Sequence, residues 1–89
     1  MTGSFVRATR ALHRNAGPDV VAMVVDEPEV HVLSGPAALI WRLLAEEGRI
    51  EDVTDEVARV YQRPAEEVRA SVEDCVRTLV DRRLAEERP

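Results

Sequence analysis

The sequence predicts an α+β domain, a three-stranded antiparallel meander followed by three helices. Two observations carry this. β-branched runs with turn signals between them fill the first third of the chain, and apolar residues recur at helical spacing from Pro36 onward. Between them, Ser34-Gly35-Pro36 joins a short strand directly to an amphipathic helix.

The first strand is expected over Ser4–Leu12, where Phe5, Val6, Ala8, Ala11 and Leu12 alternate imperfectly with arginines. The residues before it are expected to fray. Asn15-Ala16-Gly17-Pro18-Asp19 is a turn. Val20–Val25 has the length and β-branched content of a buried strand. Asp26-Glu27-Pro28 turns the chain, and Glu29–Leu33 returns as the third strand, antiparallel to the second. If Val20–Val25 is the middle strand, Glu29–Leu33 lies at an edge.

Ser34 can cap the first helix, and Pro36 is tolerated at its first position because a missing N–H there costs no hydrogen bond. This helix is expected over Pro36–Glu46, ending near Gly48, with Leu39, Ile40, Leu43 and Leu44 as its apolar face and Trp41 as a core anchor. The second runs from Ile50 or Glu51 to Tyr61. Val53, Val57 and Val60 or Tyr61 form its inner stripe, and Glu51, Asp52 and Asp55 suit its positive end. After Gln62-Arg63, Pro64 opens the third, whose stripe is Val68, Val72, Cys75, Val76, Leu79 and Val80, ending near Arg83. Leu84 and Ala85 make a last contact before a frayed, charged tail. The short connection between the last two helices gives a helix-turn-helix-like, winged-helix-like arrangement.

At 89 residues the chain makes one domain, 1–89 with a core over about 5–86. A 45% hydrophobic content excludes disorder by composition. No apolar run is long enough to span a bilayer, and the N-terminus has no signal-peptide core, so a cytoplasmic protein without a membrane partner is expected. One cysteine excludes a disulfide framework or cysteine zinc cluster, and the two histidines are far apart, so no metal or cofactor is expected. All basic residues are arginine, so lysine Schiff-base and P-loop chemistry are absent. No nucleophile–base pair or phosphate-binding glycine loop is present, and the expectation is a binding protein, not an enzyme. Net charge is −5, and the third helix carries five acids against two arginines from Glu66 to Asp81. That is poor chemistry for a phosphate backbone, so no nucleic-acid partner is expected.

The block Val30-His31-Val32-Leu33-Ser34-Gly35-Pro36-Ala37-Ala38-Leu39-Ile40-Trp41-Arg42-Leu43-Leu44 resembles the PqqD-like family, the peptide-recognition domains of ribosomal-peptide (RiPP) biosynthesis, or RiPP recognition elements. Val53–Tyr61 matches that family's second helix, and Pro64-Ala65-Glu66-Glu67-Val68 matches the start of its third. Val68, Val72, Val76, Leu79 and Leu84 fall on its apolar positions. The resemblance covers roughly residues 5 to 86. It departs on the third helix, where Ser71 stands for a frequent Asp, Cys75 for Phe and Arg83 for Gly. Cys75 in place of a large aromatic leaves room for a bulky guest side chain.

The resemblance implies that the domain binds the leader segment of a precursor peptide. The leader adds as a strand to the third strand and lies in a groove against the third helix. The implied contacts are Glu29, Val30, His31, Val32 and Leu33 on the strand, and Val68, Ser71, Val72, Cys75 and Leu79 on the helix. The implied partners are a leader peptidase and a cyclase, as in the split leader-binding proteins of lasso-peptide clusters, or a radical-SAM maturase. The rival readings are a winged-helix DNA-binding domain and a dimerisation module using the same strand edge. Among single residues, His31 is expected to be solvated, His13 to sit in or near a turn, and Cys75 to be an inert groove or core residue. Arg69, Arg77, Arg82 and Arg83 are expected on a solvated, self-neutralising helix face.

Overall fold

The computed structural model describes residues 3–89, so any fraying of Met1 and Thr2 lies outside the described residues. The described residues form an α+β fold, with three helices and two small antiparallel sheets. One sheet has the order β2-β3-β4, formed by Ala11–Ala16 (β2), Asp19–Val24 (β3) and Val30–Leu33 (β4). The other has the order β5-β1-β6, formed by Ser4–Arg7 (β1), Gly48–Arg49 (β5) and Ala85–Arg88 (β6). The helices are Pro36–Leu43 (α1), Ile50–Tyr61 (α2) and Ala65–Asp81 (α3).

The expected first strand, Ser4–Leu12, is two strands in different sheets. The Arg7 N–H donates to the Leu44 carbonyl and the Ala8 N–H to the Leu84 carbonyl, both at 2.9 Å, which ties this segment to α1 and the end of α3. The chain then turns at Thr9-Arg10 and starts β2. That turn is why the alternation across Ser4–Leu12 breaks. The next turn is only Gly17-Pro18, with Asn15 and Ala16 inside β2. Gly17 has φ 62 at the first loop position, which a type II′ hairpin reserves for glycine. His13 therefore lies mid-strand opposite Ala22, not in a turn.

The tail does not fray. β6 pairs with β1 from Ser4↔Arg88 to Arg7↔Ala85. It is delivered there by a Schellman motif. Arg83, at φ 62, donates to the Val80 carbonyl, and Leu84 donates back to the Leu79 carbonyl, both at 2.9 Å. Leu84 is thereby driven into the core. The same motif ends α2, with Gln62 at φ 55 and Arg63 donating to the Ala58 carbonyl at 3.0 Å.

The β2-β3-β4 sheet buries one face. Val20, Ala22, Val24 and Leu33 pack with Ile40, Trp41 and Leu44 of α1, Val53 and Val57 of α2, and Val72, Val76 and Leu79 of α3. Trp41 is fully buried as a core anchor, with the Arg7 guanidinium 4.8 Å from its ring centre and the Arg7 Nε–H donating to its carbonyl at 2.8 Å. Burial of Arg7, with Arg42 nearby, lowers its pKa from the usual arginine value. On α2 the buried set is Ile50, Val53, Thr54, Val57 and Ala58; Val60 and Tyr61 are exposed, so they close no inner stripe.

Candidate functional site

The corner after β4 fixes the site. Gly35 takes φ 57, ψ −130, so the strand turns sharply into α1 with Pro36 in its first turn. A side chain at φ 57 would be strained, which explains the glycine. The expected Ser34 side-chain cap is absent; instead the Ser34 and Gly35 carbonyls accept from the Ala37 and Leu39 N–H groups at 3.2 Å.

β4 pairs with β3 through Val20↔Leu33, Val21↔Val32, Ala22↔His31 and Met23↔Val30. Among the described residues, no strand pairs with its other side. An unpaired edge is a row of N–H and C=O groups whose partners are water or another chain. The four residues extend about 13 Å.

Two depressions lie along α3, one where it meets α1 and α2 and the other where its end meets the start of β4. The first, about 240 Å³, is lined by Val68, Ser71, Val72 and Cys75 of α3 with Pro36, Ile40, Val57, Tyr61 and Arg63. The second, about 320 Å³, is lined by Glu29 and His31 with Glu27, Asp81, Arg82 and Arg83. The end of α3 thus lies by the beginning of β4, while Pro36, just past the corner that follows β4, lines the apolar depression with the first half of α3. Together they make up the trough along α3, apolar where α1, α2 and α3 meet and charged where the end of α3 meets Glu29 and His31.

Of the residues expected from sequence, Val68, Ser71, Val72 and Cys75 meet in the apolar depression, and Glu29 and His31 in the charged one. Leu33 and Leu79 are buried in the core and line neither. Val30 and Val32 face the other way, 57% and 63% exposed. His31 points opposite to Val30 and Val32, half-buried on the α3 side, where it lines the charged depression. Buried Leu33 sets the inward parity of the strand, and His31 shares it.

Sequence reasoning missed the far wall of the apolar depression, Pro36, Ile40, Val57, Tyr61 and Arg63. Tyr61 carried a usable signal, being an aromatic at the last position of α2, where the core stripe has run out. Cys75 lies at this wall, and burial pushes its thiol pKa up, with Arg82 opposing modestly. A raised thiol pKa means little thiolate and low reactivity. In the charged depression Arg83 pairs with Glu27 at 3.2 Å, while Arg77 pairs with Asp74 at 2.9 Å outside both depressions. Among the described residues, no group of three or more His, Cys, Asp or Glu could hold a metal.

A family model described as coenzyme PQQ synthesis protein D (PqqD) matches residues 19–85. The chain belongs to the PqqD family. The match starts with β3 and ends at the first residue of β6, so the PqqD-type part holds β4, all three helices and both depressions. β1 and β2 lie outside it. No curated protein matches the chain. Among solved structures, TbiB1 in complex with the TbiA(beta) leader peptide is similar, with a TM-score of 0.84. The likeness covers 94% of this chain and 98% of that one at 21% identity, and at that identity it speaks to the fold.

Proposed function

We propose that this PqqD-family protein binds the leader segment of a ribosomally made precursor peptide. The leader adds as a strand to β4, places an apolar side chain between α1, α2 and α3, and is held for a maturation enzyme. The observation that carries the reading is the unpaired edge of β4, whose start shares the charged end of the α3 trough. Family membership supports the peptide-biosynthesis setting, and a protein of this fold is described in complex with a leader peptide.

The energetics suit the task. Four backbone hydrogen bonds at about 0.5–1.5 kcal/mol each give a few kcal/mol. One or two side chains in the trough add about 1.5–3 kcal/mol apiece. Ordering a flexible peptide opposes both. The balance corresponds to a dissociation constant between micromolar and tens of nanomolar. Backbone pairing tolerates many sequences; the apolar depression and the charged end select among them.

In this reading the protein is a non-catalytic adaptor working in the cytoplasm, winged-helix-like in arrangement. The peptide contacts are Val68, Ser71, Val72 and Cys75 in the depression, Glu29 and His31 at the charged end, and the backbone from Val30 to Leu33. It delivers the leader to a peptidase and cyclase, as in lasso-peptide maturation, or to a radical-SAM enzyme. Calorimetric titration with the leader of the precursor encoded beside it tests this. Binding within the stated range is expected, weakened where proline replaces a leader residue whose N–H pairs with β4. Failure to bind below about 100 µM, the level of bare strand pairing, overturns the assignment.

A further inference from the structure

The outer face of the β2-β3-β4 sheet is largely apolar. Leu12, Met23 and Val30 align across the three strands, as do Arg14, Val21 and Val32. Leu12, Val30 and Val32 are more than half exposed. With Ala16 and His13, most of these residues line a shallow depression of about 450 Å³. Arg14 is the one formally charged side chain in that lining, and it has no ion-pair partner among the described residues. An apolar patch of a few hundred Å² is an ordinary size for the largest on a monomer, and such patches are often functional.

Size and position narrow the occupant. Three strands of four to six residues, about 4.8 Å apart and about 3.3 Å per residue, cover roughly 200–300 Å². A stable, specific interface needs about 800 Å² per partner, so this face alone does not hold two copies together. It suits a weak contact strengthened by a second connection. β4 supplies both: one edge is open beside the trough, while Val30 and Val32 belong to the outer face. A leader on that edge and a protein on that face share one strand without competing for the same surface.

We propose that the outer sheet face docks the enzyme that modifies or cleaves the bound peptide, through an apolar surface carrying a carboxylate opposite Arg14. This rests on the leader-binding reading above. The precursor then links the two proteins, because its leader is held by this chain and its remaining segment enters the enzyme. Linkage raises the effective concentration of the second contact to about millimolar, enough to saturate a weak one.

The test uses the full chain, the purified maturation enzyme encoded nearest to it, and the precursor peptide. Leu12→Asp and Arg14→Glu are exposed changes outside the trough, and melting curves confirm that each variant folds. The enzyme is expected to bind the precursor-loaded protein at least tenfold more tightly than the precursor-free protein. Leu12→Asp is expected to weaken enzyme binding at least tenfold and Arg14→Glu about fivefold, while leader affinity changes less than twofold. Unchanged enzyme binding in both folded variants overturns the proposal. So does wild-type self-association that Leu12→Asp abolishes, which gives the face to a second copy. Loss of leader binding by the wild type is read in a separate arm, and it overturns the leader-binding reading instead.

Discussion

Plugging the apolar depression separates a groove that receives a side chain from one that is a packing accident. Ser71 lies on its lip, exposed, on the middle turns of α3. A tryptophan there covers the mouth of a space of about 240 Å³ without entering the core behind it. The strand edge is untouched, so backbone pairing with a leader survives and only the side-chain insertion is lost. Burying one large apolar side chain contributes about 1.5–3 kcal/mol. At about 1.4 kcal/mol per tenfold, Ser71→Trp should raise the leader dissociation constant roughly 10- to 150-fold. Calorimetric titration reads this, and thermal melting checks that stability moves by less than about 0.5 kcal/mol, as for an exposed site. Arg77→Ala, on α3 but outside both depressions, should leave affinity within twofold. If folded Ser71→Trp binds the leader within threefold of wild type, no side chain occupies this space, and the trough is not where selectivity arises.

Removing residues 85–89 deletes β6, whose four pairings with β1 contribute about 2–6 kcal/mol if each is worth one net hydrogen bond. Against a total of about 4–13 kcal/mol for a chain this size, urea unfolding should show a large loss, whereas a frayed tail would show none. Gln62→Gly should stabilise the fold by up to about 1 kcal/mol in the same assay, because glycine carries no side-chain penalty at φ 55. The Cys75 thiol, raised by burial, should react with iodoacetamide more slowly than free cysteine at pH 8, and more slowly still with leader bound. Because the folded state holds that proton more tightly, its stabilising contribution is intact below the ordinary thiol pKa of about 8.5 and fades as pH rises through the raised value. Unfolding curves from pH 8 to 10.5 should therefore fall less steeply for Cys75→Ala.

Much of the site was legible because its parts are local. β-branched Val20–Val25, the Ser34-Gly35-Pro36 corner and the 3.6-residue stripe on α3 each announce themselves within a few residues. The stripe placed Val68, Val72 and Cys75 on one face of α3, and the family resemblance implied that this face, with Ser71, lines a groove. What stayed hidden depends on distant partners. Ser4–Arg7 is a strand because Ala85–Arg88 and Gly48–Arg49 pair with it, and nothing in Glu86-Glu87-Arg88 favours a strand until β1 offers an edge. The phase of β4 was equally non-local. Valines usually turn inward, yet buried Leu33 fixes the parity, and Val30 and Val32 face outward on a sheet whose inner side is already filled. Leu79 looked like a groove residue because it shares the stripe with Val72; two turns further along, the same stripe faces only core.

Leader capture by strand addition requires the free edge of β4. Amide hydrogen exchange followed by NMR, with and without saturating leader peptide, reads that edge directly. Those amides of Val30–Leu33 that point away from β3 should exchange quickly in the free protein and slow by at least tenfold in the complex, with cross-peaks from leader amides to the same residues. If the leader binds while these amides keep their free exchange rates and protection appears elsewhere, strand addition to β4 is wrong.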